Sequence, residues 1–144
     1  MASDALFSRL SADIEQYGGG AKVNTRELMK CIEESLHIRP DMITLIKYIR
    51  KNYGIKTAAV TNNWKSSSVG DFGSSVITTG RDNQGVLLFD AIVESYKEGI
   101  RKPDPRLVLL AAARLDVLPC QCVFLDDLGV NLKGAKDAGI GWTI

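Results

Sequence analysis

Histidine is all but missing from this sequence: His37 is the only one in 144 residues. A Ser-His-Asp or Cys-His machine needs an imidazole beside its nucleophile. A single histidine at the polar end of a predicted helix gives such chemistry little support, and a solvated surface role is expected for it. Cysteine is sparse too. Cys31, Cys120 and Cys122 make an odd set of three, which argues against a disulfide framework and fits a reducing, cytoplasmic setting. Cys120 and Cys122 form a lone C-x-C without a second ligand pair, so a structural place beside or within a strand is expected rather than a metal site. No apolar run approaches the roughly 20 residues that span a bilayer. The first residues, Met1-Ala2-Ser3-Asp4-Ala5-Leu6, have an early acid and lack the basic-then-apolar order of a secretory signal. Charge of one sign is not in excess either: 18 Lys and Arg against 17 Asp and Glu leave a net +1. Neither nucleic acid nor a membrane is therefore expected as partner.

What is present is an ordinary globular composition, 45% hydrophobic and 24% charged, at the length of one domain. Residues 1–54 read as helical. Leu6, Leu10, Ile14 and Tyr17 recur at helical spacing before Gly18-Gly19-Gly20. Asn24 with Glu27 three residues on suggests a capped second helix. A third helix is expected from about Asp41 to Asn52, burying Met42, Ile46, Ile49 and the following Tyr53, with Gly54 as its stop. The pattern changes at Ile55. Lys56 to Thr61 reads as a buried strand, Ala91 to Ser95 as a second and Cys122 to Leu125 as a third. Pro105 to Leu115 and Gly129 to Ala138 read as helices, and Trp142-Thr143-Ile144 starts a last strand. Lys65 to Gly85 is Ser/Gly-rich and expected to be loop. Strands alternating with helices predict an α/β fold with a parallel sheet.

In such a sheet, ligands bind beyond the carboxyl ends of the strands. Thr61-Asn62-Asn63 follows the first strand and Asp126-Asp127 the third. Lys102 lies between them in Gly99-Ile100-Arg101-Lys102-Pro103-Asp104-Pro105. A hydroxyl with neighbouring amides can bind phosphate oxygens, and a lysine supplies a point positive charge. Paired carboxylates are costly unless a cation offsets them, and Mg2+ prefers such hard oxygen ligands.

These three segments resemble motifs two, three and four of the haloacid dehalogenase (HAD) superfamily of hydrolases. The wording V-E-S, E-G, K-P-D-P and then F-L-D-D-L-G-x-N-L-K is most similar to one branch. That branch includes the N-terminal phosphatase domain of soluble epoxide hydrolases and, closer still, the HAD-like domain at the front of certain acyl-CoA dehydrogenase family proteins. The resemblance is specific from Ile55 to Ile144. It implies a HAD-like, Rossmann-type core over residues 55–144, preceded at 1–54 by part of a helical cap. It further implies that Thr61, Asn62 and Lys102 bind the phosphoryl group, with Lys102 stabilising an aspartyl-phosphate. Asp127 would ligate Mg2+, with Asp126 and Asn131 supporting that site; Asn131 stands where many relatives carry a second acid. A phosphorylated small molecule is the implied substrate class.

The largest departure is at the front. The family opens with a central strand ending in D-x-D, whose first aspartate attacks phosphorus. Here Asp4, Asp13 and Asp41 are the aspartates before Thr61, and none sits two residues from another. The expected fold is thus a HAD-like sheet lacking its first, central strand. The expected function is that of a hydrolase domain without its nucleophile and inactive alone: a fragment or isoform, with other domains of a longer polypeptide as partners. A catalytically dead phosphate-binding module is the competing reading. A response-regulator receiver also uses paired acids, a Thr and a Lys, but the order Thr, Lys, Asp-Asp counts against it.

Overall fold

The computed structural model describes residues 2–19, 22–35, 39–63 and 79–144. His37 and residues 65–78 of the Ser/Gly-rich stretch lie outside the described residues. The chain forms two compact units, residues 1–37 and 38–144.

The first unit holds α1 (Ala2–Tyr17) and α2 (Thr25–Ser35). Asn24 accepts the Glu27 N–H at 3.3 Å, the cap its sequence suggests. Thr25 is buried and binds α1 twice, through the Ser11 hydroxyl at 2.8 Å and by donating to the Phe7 carbonyl at 3.2 Å.

The second unit begins with α3 (Pro40–Tyr53), which ends at Gly54 in the left-handed conformation, φ 65°. Helix α3 falls in the second unit, which begins at Ile38. Ion pairs tie it to the rest of that unit: Arg50 meets Asp90, and Lys47 meets Asp82. Ile46 and Ile49 are half-buried as expected, whereas Met42 and Tyr53 are exposed.

Strand β1 (Ala58–Thr61) pairs in parallel with β2 (Ala91–Glu94), Ala58 opposite Ala91 and Thr61 opposite Glu94. A single turn, α4 (Ser95–Glu98), follows β2. Helix α5 (Pro105–Leu115) starts with proline at its first position, and Asp104 caps it by accepting the Arg106 N–H at 3.0 Å. Strand β3 (Val123–Phe124), helix α6 (Gly129–Asp137) and β4 (Trp142–Thr143) complete the unit, with β3 and β4 parallel. The fold is therefore α/β with parallel strands, as predicted.

The strands form two separate pairs, β1–β2 and β3–β4. One helical layer serves both. Val93, Leu107 and Ala111 make one core cluster, Val108, Ala135 and Ile140 another, and Val60 packs against both. Parallel strands alternate their side chains between two faces. Cys122 and Phe124 turn to the second cluster, which gives Cys122 the strand-flanking structural place its sequence suggested. Val123, Leu125, Trp142 and Ile144 turn the other way and are 54%, 56%, 73% and 68% exposed. The backbone alternates similarly. Cys122 and Phe124 carbonyls accept from Trp142 and Ile144, and Asp126 donates to Ile144. The peptide groups of Val123 and Leu125 therefore face the opposite edge, which pairs with no strand among the described residues.

Candidate functional site

The site forms where the strands end. Thr61 closes β1, half-buried, and among the described residues its hydroxyl has no protein partner. Asn62 comes next and reaches forty positions along the chain. Its Nδ2 donates to the Lys102 carbonyl at 2.9 Å, and its Oδ1 accepts the Lys102 N–H at 2.8 Å. Asn63 is pinned by Ser95, whose hydroxyl accepts from the Asn63 N–H and donates to its carbonyl, both at 2.9 Å. The Asn63 carboxamide donates to buried Glu94 at 2.9 Å, and Lys97 pairs with the other Glu94 oxygen.

Lys102 occupies the loop before α5. The loop is crowded by α6: a Cβ at Gly134 would overlap the Pro103 carbonyl oxygen. From there the Lys102 ammonium reaches Asp126 at 2.7 Å and lies 5.8 Å from the centre of the Phe124 ring. Both side chains are well buried, 13% and 4% exposed. Asp126 also accepts from the Asn131 carboxamide at 2.8 Å and from the Leu128 N–H at 3.0 Å, where α6 begins. Burial alone would push the Asp126 carboxyl up. The hydrogen bonds from Lys102, Asn131 and Leu128 outweigh it and hold the acid below its ordinary value. Asp127 is exposed, and among the described residues no hydrogen bond or ion pair engages its carboxylate.

The sequence-predicted residues thus converge, but in different postures. Asn62, Lys102, Asp126 and Asn131 form one hydrogen-bonded chain. Thr61 and Asp127 flank it with unengaged oxygens. Both polar ends of the Asn62 side chain are taken by the Lys102 peptide. Asn63, Glu94 and Ser95 are not among the predicted site residues; the register of Thr61 opposite Glu94 puts them at the same strand ends.

The haloacid dehalogenase-like hydrolase family model matches residues 5–139. The chain belongs to this family. Among the HAD relatives, acyl-CoA dehydrogenase family member 10 of Mus musculus is 45% identical over 101 residues, 70% of this chain and 8% of that protein. Bifunctional epoxide hydrolase 2 of Sus scrofa is 33% identical over 96 residues, 62% of this chain and 16% of that protein. The chain thus spans a small part of the length of either relative. A solved HAD family enzyme from Bacteroides thetaiotaomicron, an aspartate-to-alanine variant in complex with magnesium and inorganic phosphate, superposes with a TM-score of 0.55 at 18% identity. That match covers 95% of this chain and 68% of the other. It shows the shared HAD fold.

Magnesium fits the donors in a limited way. Among the described residues no group of three or more His, Cys, Asp or Glu is arranged to hold a metal. Asp127 offers one unengaged carboxylate, whereas Asp126 is neutralised by Lys102. One carboxylate suits an ion that keeps several waters and shares a substrate phosphate.

Proposed function

We propose that this chain is the phosphate-binding portion of a HAD-type phosphatase domain, inactive alone. The observation that carries it is the chain of hydrogen bonds from Asn62 through Lys102 to Asp126 and Asn131 at the carboxyl ends of parallel strands. Thr61, Asn62 and Lys102 form its phosphate side, and a phosphorylated small molecule in the cytoplasm is the ligand class. Asp127 is the residue to hold Mg2+, supported by Asp126 and Asn131; bound there, the ion would offset phosphate charge. Residues 1–37 serve as part of a cap, and further domains of a longer polypeptide are the natural partners.

Hydrolysis of phosphate monoesters is among the slowest uncatalysed reactions, accelerated by enzymes up to ~10²¹-fold. Positioning and charge stabilisation contribute to that, but a covalent route needs an attacking carboxylate. The sequence has no D-x-D ahead of Thr61 to supply one.

The test pairs two measurements. A malachite-green assay with generic phosphate esters and Mg2+ is expected to give no release above buffer. Inorganic phosphate at a hundredfold its Kd is expected to stabilise the fold by about 2.7 kcal/mol in a thermal melt. Turnover at the level of intact phosphatases would sink the inactive reading, and an unmoved melt would sink the phosphate reading.

A further inference from the structure

We infer that Asn62 is a positioning residue that acts on phosphate through Lys102, not a group that touches the phosphate with its own side chain. The inference deepens the proposed phosphate site and rests on it. Its ground is a closed pair of hydrogen bonds. The Asn62 carboxamide lies against the Lys102 peptide, donor to acceptor at 2.9 Å and acceptor to donor at 2.8 Å. The orientation of the amide follows from this pairing, since the flipped form would set N–H against N–H and oxygen against oxygen. Among the described residues this carboxamide is the only hydrogen-bond partner of the Lys102 N–H and carbonyl.

The pairing joins β1 to a loop that otherwise has no strand or helix of its own. Lysine carries a flexible four-carbon stem, so the place of its ammonium depends on where the backbone beneath is held. Asn62 fixes the base of that stem, and Asp126 holds its tip at 2.7 Å. With the base released, the ammonium would sample positions away from the strand ends. The pairing uses Oδ1 and one of the two Nδ2 hydrogens, so the plane of the carboxamide is set by the Lys102 peptide and is not free to turn toward a phosphate oxygen.

A double-mutant cycle separates the two roles. Binding of inorganic phosphate is measured by calorimetry for the wild type, Asn62→Ala, Lys102→Ala and the double variant, with amide exchange at Lys102 followed by NMR. Asn62→Ala is expected to weaken phosphate binding about tenfold, and to have no further effect once Lys102 is alanine. It is also expected to speed exchange of the Lys102 amide about tenfold. Additive losses in the cycle would mean direct contact and overturn the inference. An unchanged Lys102 amide would overturn it as well. Should Asn62→Ala not fold, Asn62→Ser is small and uncharged and loses the paired carboxamide; the same two outcomes are read from it. If the wild type binds no phosphate while Asn62→Ala still loosens the Lys102 amide, the phosphate reading fails and the clamp stands.

Discussion

Asp126 and Asp127 are neighbours with opposite circumstances, and the difference decides what each can do. Burial alone would raise the pKa of Asp126, but its donors, above all the Lys102 ammonium, outweigh that and hold it below the ordinary value. A carboxyl whose folded pKa is depressed binds fewer protons when native. Its stabilisation is fully present above the unfolded value, about 3.9, and is lost as pH falls through the folded one. Asp126→Asn would leave Lys102 buried without its counter-ion, and removing one partner of a buried pair costs ~3 kcal/mol or more. Urea unfolding at pH 7 is expected to show that loss. At pH 3 the gap between variant and wild type should narrow; an equal gap at both values would mean that Asp126 does not bear this charge. The sequence displayed the D-D pair plainly but not its division, because consecutive residues leaving a strand point to opposite sides. The Asn62 clamp was hidden for another reason: a partner forty positions away leaves no trace in local spacing.

At the scale of elements, caps and stops were the readable part. Gly54 ends α3 in the left-handed region, Pro105 opens α5 and Asp104 caps it. Each rests on local chemistry that a sequence carries by itself. Packing was less readable. Met42 has helical spacing with Ile46 and Ile49 yet is exposed, since an apolar stripe does not say which part of it finds a neighbour. The two glycines of α6 make the same point and give a paired prediction. Gly129 has open space around it, whereas Gly134 lies against the Pro103 carbonyl. Alanine is favoured over glycine in a helix interior by up to about 1 kcal/mol. Gly129→Ala is therefore expected to be neutral or slightly stabilising in thermal melts. Gly134→Ala should cost about 1–3 kcal/mol, because the helix must back away from the Lys102 loop. Equal melting temperatures for the two variants would show that the approach of α6 to that loop is slack.

Over the whole molecule, the order of strands and helices was readable from alternating patterns; the Thr61 and Asp126 segments follow strands directly, and the Lys102 segment follows β2 and a helical turn. The pairs Arg50–Asp90 and Lys47–Asp82, which tie α3 into the second of the two units, were not readable, because they join distant positions. The same division predicts uneven stability. In residues 1–37 the buried residue among those described is Thr25, while β2 and α5 contribute Val93, Leu107, Val108, Ala111 and Ala112 to the core. A unit under about 40 residues rarely holds itself together by burial alone. Hydrogen-exchange mass spectrometry is expected to show α1 and α2 exchanging at least tenfold before β2 and α5. Matched protection would mean that residues 1–37 draw stability from contacts beyond their own two helices.

The uncovered sheet face has a consequence for the protein as a colloid. Val123, Leu125, Trp142 and Ile144 offer water an apolar surface, and a net charge of +1 supplies almost no repulsion to keep two such surfaces apart. That face then favours self-association. Conditions that add charge to the chain extend the concentrations at which it stays dispersed, while salting-out ions shorten them.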